Sequence, residues 1–461
     1  MKKAFFVFKI YYLLYVLVAF TALLNGCRFM NAATLLLSVG GAALVLGMMI
    51  QFRLYLKAKN IWLVLLFLLS YVFSSLMTFK YGITDNIKEL LWLIFPMLLL
   101  YIAEVRYSAK EMQKEFKILS AIYVLYSTIA GAVSISMLFW GRNFTFQDES
   151  DSWRTIGFKW GRLWGVFDDP NHGATILVAG IVLAVYLILV TKNKALRVCW
   201  GLTALIQYIY IIFSDSRTGQ LALAFAVFIG GALAFNRTFQ NKGRLPRIAL
   251  SVVLAALLSA VVIGITFEVK QAYNIVDKKI QIQELKQSRA QSQAQSAVPK
   301  EKEREVGRKK DLEKDVSNGR ISIWKSGLEI AKASPIYGVS FRNMTAYAQK
   351  NLPDTYLVNN PGEAKYDSLH NAVMDILVSQ GLIGIIIAAA ILVNTILYIR
   401  KRWKYTDKEI YTLQCVCLAV ILAMGTASMF ISMVFYLNSP QTYIFWLCLG
   451  YFIFSIKKKE Q

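Results

Sequence analysis

Three residues far apart in the chain have types and settings that could do chemistry together. They are Arg217 in Ser214-Asp215-Ser216-Arg217-Thr218-Gly219, Arg320 in Asn318-Gly319-Arg320-Ile321, and His370 in Asp367-Ser368-Leu369-His370-Asn371. Each falls near the start of a helical run, where unpaired backbone N–H groups and a partial positive charge attract phosphate. Two guanidinium groups can hold a pyrophosphate through paired hydrogen bonds and stabilise the charge that builds as it departs. A pyrophosphate leaves well without protonation, so the demanding step is activation of an acceptor hydroxyl, for which one general base near neutral pKa suffices. A histidine at a helix start fits that role, because the dipole there favours the neutral imidazole.

Each of these residues also has a plainer reading. Arg217 suits a span anchored in phosphate headgroups, Arg320 suits solvated charge on a surface helix, and His370 suits a cap or a satisfied boundary residue. His172, the only other histidine, follows Asn171, which reads as a helix cap, and its role reads as structural. Asp168 and Asp169 are two adjacent carboxylates without further ligands, a weak signal for a divalent ion. No metal or cofactor is expected.

The elements that must position these groups lie in a membrane. The chain of 461 residues is 56% hydrophobic, too apolar to be organised around one aqueous core. Runs long enough to cross the hydrocarbon fall near 10–27, 33–51, 61–79, 89–105, 118–140, 173–191, 197–213, 218–235, 247–267, 371–398, 410–435 and 440–456. The expected fold class is therefore all-α: a single integral membrane domain, residues 1–461, of about twelve helices with one large, partly helical loop. Lys and Arg concentrate in alternate connections, such as Arg106, Lys110, Lys114 and Lys117, or Arg400, Lys401, Arg402, Lys404 and Lys408. By the positive-inside rule both termini are cytoplasmic, the protein is multi-pass in the plasma membrane, and residues 268–369, between the ninth and tenth spans, are outside. The first span lacks a small-residue cleavage site and reads as retained.

The net charge of +23 is scattered over these connections, which suits an anionic inner leaflet and argues against nucleic acid as a partner. The five cysteines lie in or beside spans, with no disulfide framework or zinc spacing.

Within the large loop, residues 278–317 are rich in Gln, Ser, Ala, Lys and Glu and read as mobile helix or disorder. From Arg320 the pattern changes: Ile321, Trp324, Leu328 and Ala331 predict an amphipathic helix over 320–334, capped by Ser317 or Asn318 and stopped by Pro335. A second outer segment, 141–172, holds Trp153, Trp160 and Trp164 among Arg154, Lys159, Arg162, Asp168 and Asp169. Its tryptophans read as interfacial anchors or as rings that stack on sugars or guide a lipid chain.

At these residues the chain resembles the O-antigen ligase and Wzy-type polysaccharide polymerase superfamily. Gly165-Val166-Phe167-Asp168-Asp169-Pro170-Asn171-His172-Gly173-Ala174 resembles the family's G-x-F-x-x-P-N-x-x-A, and Ser214 to Gly219 resembles S-x-S-R-x-G. Arg320 to Trp324 with Pro335-Ile336-Tyr337-Gly338 resembles R-x-x-x-W and P-x-x-G, and His370-Asn371 with Gln380-Gly381-Leu382-Ile383-Gly384 resembles H-N with a later G-x-x-G. The resemblance covers about 160–450 and implies a fold like that of the GT-C membrane glycosyltransferases. It implies that Arg217 and Arg320 bind the pyrophosphate of an undecaprenyl-linked saccharide and that His370 activates the acceptor hydroxyl, without a metal and with inversion. Arg162, Asp168, Asp169, Asn171 and Trp324 are further candidates for acceptor or loop contacts. Where the family's loop often reads G-x-G, this chain has Gly338-Val339-Ser340, which predicts a less tight backbone.

The expected activity is thus a membrane glycosyltransferase that polymerises lipid-linked repeat units into capsule, exopolysaccharide or O-antigen-like chains. Its expected partners are the undecaprenyl-pyrophosphate donor, a glycan acceptor, membrane lipids, a flippase and a chain-length regulator. Ligation to a lipid or protein acceptor is the nearest alternative. A transporter or flippase is a second, although no halves of matching pattern are visible.

Overall fold

The computed structural model describes residues 1–147, 153–291, 305–307, 317–361, 365–404 and 407–457. In chain order the principal helices are α1 (Lys2–Ala19), α2 (Phe29–Ile50), α3 (Ile61–Met77), α4 (Thr84–Arg106), α5 (Ala109–Phe139), α6 (Pro170–Val190), α7 (Lys194–Ser214), α8 (Arg217–Thr238), α9 (Arg244–Gln291), α10 (Arg320–Ala333), α11 (Met344–Asn351), α12 (Ala372–Arg402), α13 (Lys408–Ala427) and α14 (Pro440–Lys457). Among the described residues nine of these, all but α1, α3, α10, α11 and α14, are long and apolar enough to cross a membrane. Helices dominate because a segment in lipid must satisfy its backbone N–H and C=O groups internally. The chain is an all-α polytopic membrane protein with little sheet.

The remaining three predicted spans are occupied by α1 and by the shorter apolar helices α3 and α14. Two boundaries differ from expectation for physical reasons. The first helix occupies 2–19 rather than 10–27, because Lys9 is fully buried between Glu104 (2.5 Å) and Glu115 (2.8 Å). A hydropathy window treats such a lysine as a limit, but paired carboxylates let it enter the packing. The span expected at 410–435 stops at Ala427, and residues 428–439 are irregular, with Val434 and Tyr436 at positive φ. Protein buries this stretch, the condition under which irregular backbone is tolerated at membrane depth.

The segment after α5 contains the sheet: β1 (Phe144–Gln147), β2 (Trp153–Lys159) and β3 (Arg162–Gly165), antiparallel in that order. Trp160 and Gly161 form the two-residue β2–β3 turn, both at the positive φ that tight hairpins require. Helix α9 has 48 residues, roughly 70 Å at 1.5 Å per residue, so it runs well past the predicted span and forms the first part of the expected loop. Most of the 278–317 stretch lies outside the described residues. In the part that is described, Val306 is held by the Asn274 side chain of α9, which bonds both its N–H (2.9 Å) and its carbonyl (2.8 Å), and Gly307 N–H donates to the Gly161 carbonyl (2.9 Å).

Helix α12 is broken at Gly381, where φ is 61° and ψ is −155°. Residues 335–340 fill the break. Leu382 and Ile383 N–H donate to the carbonyls of Pro335 (2.8 Å) and Ile336 (3.2 Å), while Val339 and Ser340 N–H donate to those of Val378 (2.8 Å) and Ser379 (2.9 Å). This interleaving explains the P-x-x-G and Q-G-x-x-G patterns: a Cβ on Gly338 would sit 2.4 Å from the Val378 oxygen, and one on Gly381 2.4 Å from the Ile336 oxygen. The backbone is not looser where Ser340 stands in place of glycine. Ser340 adopts φ 65°, and its hydroxyl is bound to Ser75 (2.8 Å) and Asn86 (2.6 Å).

The conformation at Gly381 is essentially restricted to glycine, so Gly381→Ala is expected to destabilise the protein by about 1–3 kcal/mol. Thermal unfolding of detergent-solubilised protein measures this against Gly230→Ala, where a Cβ meets open space. Equal unfolding temperatures for the two variants would refute this account of the break.

Candidate functional site

The first half of the site is the joint between α6 and α8. Asp169, not Asn171, caps α6: its carboxylate accepts from the N–H groups of Asn171 (2.6 Å) and His172 (3.1 Å), with Pro170 at the first helical position. Asn171 is thereby free to accept, through Oδ1, from Arg162 Nη2 (2.9 Å) and Ser216 Oγ (2.9 Å). Arg162 is buried and also donates Nε to the Ser214 carbonyl (2.9 Å). Ser216 in turn caps α8 by accepting from Gly219 N–H (3.0 Å). Gly219 allows the two helices to cross closely, since a Cβ there would lie 2.5 Å from that of Ala174. Arg217, the first residue of α8, is half-buried and makes no hydrogen bond or ion pair with any described residue. Its neighbour Asp215 is held by Lys270 of α9 (2.8 Å).

The second half is the joint between α10 and α12. Arg320 opens α10 after Gly319, whose φ of 77° reverses the chain, so neither Ser317 nor Asn318 is the cap. One turn on, Trp324 Nε1 donates to the Leu369 carbonyl (3.0 Å). Leu369 N–H donates to Asp375 Oδ1 (2.8 Å), and Asn371 caps α12 while its Nδ2 donates to the Met429 carbonyl (3.0 Å). His370 is therefore held through both neighbours, with a positive φ of 52° that is uncommon for residues other than glycine.

Electrostatics show that the halves meet. The His370 pKa is lowered from the ordinary 6.5, first by burial and then by the positive charge of Arg320, against an opposing pull from Asp169. His172 in turn lies within the fields of Asp169 and His370. Its ring packs edge-on against Phe20 at 5.2 Å, with Gln441 Nε2 3.3 Å from Nδ1. The structure thus brings His370, Arg320, Asp169 and His172 within electrostatic reach of one another, while Arg217 follows Ser216 of the Arg162–Asn171–Ser216 joint at the start of α8. Asp168 points elsewhere, pairing with Arg154 of β2 (2.9 Å), and Trp324 acts as the strut under Leu369. His172 is the residue that sequence reading left aside. The signal for it was its place directly after Pro170-Asn171 as the chain's only other histidine.

An imidazole with a lowered pKa in the field of a guanidinium group at a helix start can take a hydroxyl proton while an anion is held nearby. Residues 202–389, which include Arg217, Arg320 and His370, match the family model of the O-antigen ligases. No curated protein matches the chain.

A base with this depressed pKa gives a distinct pH profile. Activity requires neutral His370, so the acid limb of kcat/KM is expected below the ordinary imidazole value of about 6.5, with a plateau above it. Removing the positive charge in Arg320→Gln should move the limb to higher pH, and removing the negative charge in Asp169→Asn should move it to lower pH. A limb that stays in place in both variants would rule out His370 as the titrating group.

Proposed function

Starting from the O-antigen ligase domain at residues 202–389, whose class of chemistry is glycan transfer by a membrane enzyme, we propose that this protein is a polysaccharide polymerase. Its donor is an oligosaccharide linked to undecaprenyl pyrophosphate, and its acceptor is a sugar hydroxyl on a second lipid-linked chain. The reaction takes place on the face of the bundle that carries residues 268–369, which is the outer face of the plasma membrane if both termini are cytoplasmic. The observation that carries this reading is His370, whose pKa burial and the field of Arg320 hold below the ordinary value, together with an Arg217 at the start of α8 that has no partner among the described residues.

Arg217 and Arg320 hold the donor pyrophosphate, aided by the N–H groups that begin α8 and α10. The acceptor oxygen attacks the anomeric carbon from the side opposite the phosphate while His370 takes the hydroxyl proton. A new glycosidic C–O bond forms, the bond from the anomeric carbon to the phosphate oxygen breaks, and its electron pair leaves with undecaprenyl pyrophosphate. The sugar is transferred with inversion. The two guanidinium groups supply the charge stabilisation for which many pyrophosphate-releasing enzymes use a divalent ion.

Purified protein incubated with undecaprenyl-pyrophosphate repeat units is expected to yield a ladder of long glycans and released carrier. His370→Ala should lower the rate by roughly 10²- to 10⁴-fold, the usual worth of a general base. Arg217→Ala and Arg320→Ala should each lower it by about 10²-fold or more, as loss of a charge-stabilising donor does. Normal elongation by His370→Ala would defeat the base assignment. A single transfer to a lipid or protein acceptor, without a ladder, would favour ligation. Substrate crossing a vesicle membrane with no new glycosidic bond would favour a transporter.

A further inference from the structure

A cavity of about 290 Å³ opens at the end of the bundle away from the glycan site, lined by Lys110, Gln113, Lys114 and Lys117 of α5, Tyr186 and Val190 at the end of α6, and Glu409 at the start of α13. Its location follows from the helices that form it. Helix α6 starts at Asp169 in the site and ends at Val190, and the far end of α13 lies against the start of α12, where Ala372 N–H donates to the Ser428 carbonyl (2.8 Å).

Lys110, Lys114 and Lys117 repeat at the spacing that puts side chains on one helix face. None of the three makes an ion pair or hydrogen bond with a described residue. The carboxylates of the same helix turns are taken elsewhere: Glu111 by Lys2 (2.8 Å) and its capping box with Ser108, and Glu115 by Lys9 (2.8 Å). Three ammonium groups therefore face the cavity against the single carboxylate of Glu409. The starts of α5 and α13 add partial positive charge at the same end. Thr191, at the end of α6, has its carbonyl covered by Arg197 Nε (2.7 Å).

The geometry points to a phosphate-binding site here, occupied by the headgroup of an anionic membrane phospholipid. The cavity is at the small end of ligand sites, roughly 300–1,000 Å³, and suits a headgroup rather than a saccharide. It lies where spans meet the polar boundary, where basic pockets between helices take lipid phosphates. Tyr186 and Val190 give it an apolar wall along which the glycerol and acyl chains can leave.

Native mass spectrometry of the full chain, released from nanodiscs of phosphatidylglycerol or of phosphatidylcholine, tests this. Phosphatidylglycerol should remain bound, and Lys110→Gln, Lys114→Gln and Lys117→Gln should each weaken retention on the order of fivefold. Glu409→Gln should strengthen it, a gain that misfolding cannot produce. Titration with inorganic phosphate and pyrophosphate, followed by thermal shift, separates the sources. Lysine-dependent stabilisation by these ions without lipid retention keeps the phosphate site and assigns it a soluble ligand. If Lys242→Gln with Arg244→Gln, exposed residues of another connection, weakens lipid retention as much as the three lysine variants do, the attraction is diffuse and the site is refuted. Glu409→Gln without effect on either ligand would also overturn it.

Discussion

The geometry of the site depends on one rule of membrane chemistry: a backbone N–H or C=O that leaves a helix inside a span must find another partner. At Gly381, within α12, the ladder is interrupted, and the chain from Pro335 to Ser340 supplies the missing partners in both directions. That exchange ties the large loop to the bundle by main-chain bonds, and it needs glycine at 338 and 381. A buried polar network reinforces it. Ser70 and Tyr436 bind the Gln380 side chain, Ser74 Oγ donates to the Ser379 carbonyl (2.6 Å), and Asn86 and Asn343 hold each other (2.8 Å). With residues 335–340 immobilised, the preceding helix α10 is fixed at its C-terminal end. Trp324 then fixes its first turns against Leu369.

The same economy of parts appears at the α6–α8 joint. The single Oδ1 of Asn171 accepts from both Arg162 and Ser216, so one amide sets the distance between two helix starts. This is possible because Asp169 takes over the capping of α6. Arg162 spends its charge on internal acceptors and so differs in kind from Arg217, which is left without a partner among the described residues. A paired buried arginine holds a fold together, whereas an unpaired, half-buried one at a helix start is suited to an anion from outside. His370 gains from both joints. Arg320 lowers its pKa from the α10 side and Asp169 moderates that from the α6 side, so its proton affinity reports the relative placement of two parts of the chain about 150 to 200 residues apart.

Much of this was legible beforehand because membrane helices and motif residues leave local signals. Long apolar runs announce spans, and Arg217, Arg320 and His370 stood out because each precedes or opens a helical run. The misreadings also share a cause. Lys9 looked like a boundary because Glu104 and Glu115, which neutralise it, are about a hundred residues away. Residues 428–435 looked like more helix because an apolar composition cannot distinguish a span from an irregular segment buried in protein. Ser340 looked like a loosened turn because its supporting partners, Ser75 and Asn86, lie in another part of the chain.

What the sequence by itself determined is the class of protein, the run of its membrane helices and the residue types available for chemistry, since hydropathy, helix period and motif spacing are all properties of neighbouring residues. Only the tertiary structure decided that Arg320 and Asp169 bear on one imidazole, that His172 joins them, that a loop repairs a broken helix and that three lysines at the opposite end have no partner among the described residues. Those outcomes depend on which distant groups meet. In a bundle this is set by close crossings such as Gly219 on Ala174 and by the partners that buried polar atoms must find, and neither is written in the spacing of residues along the chain.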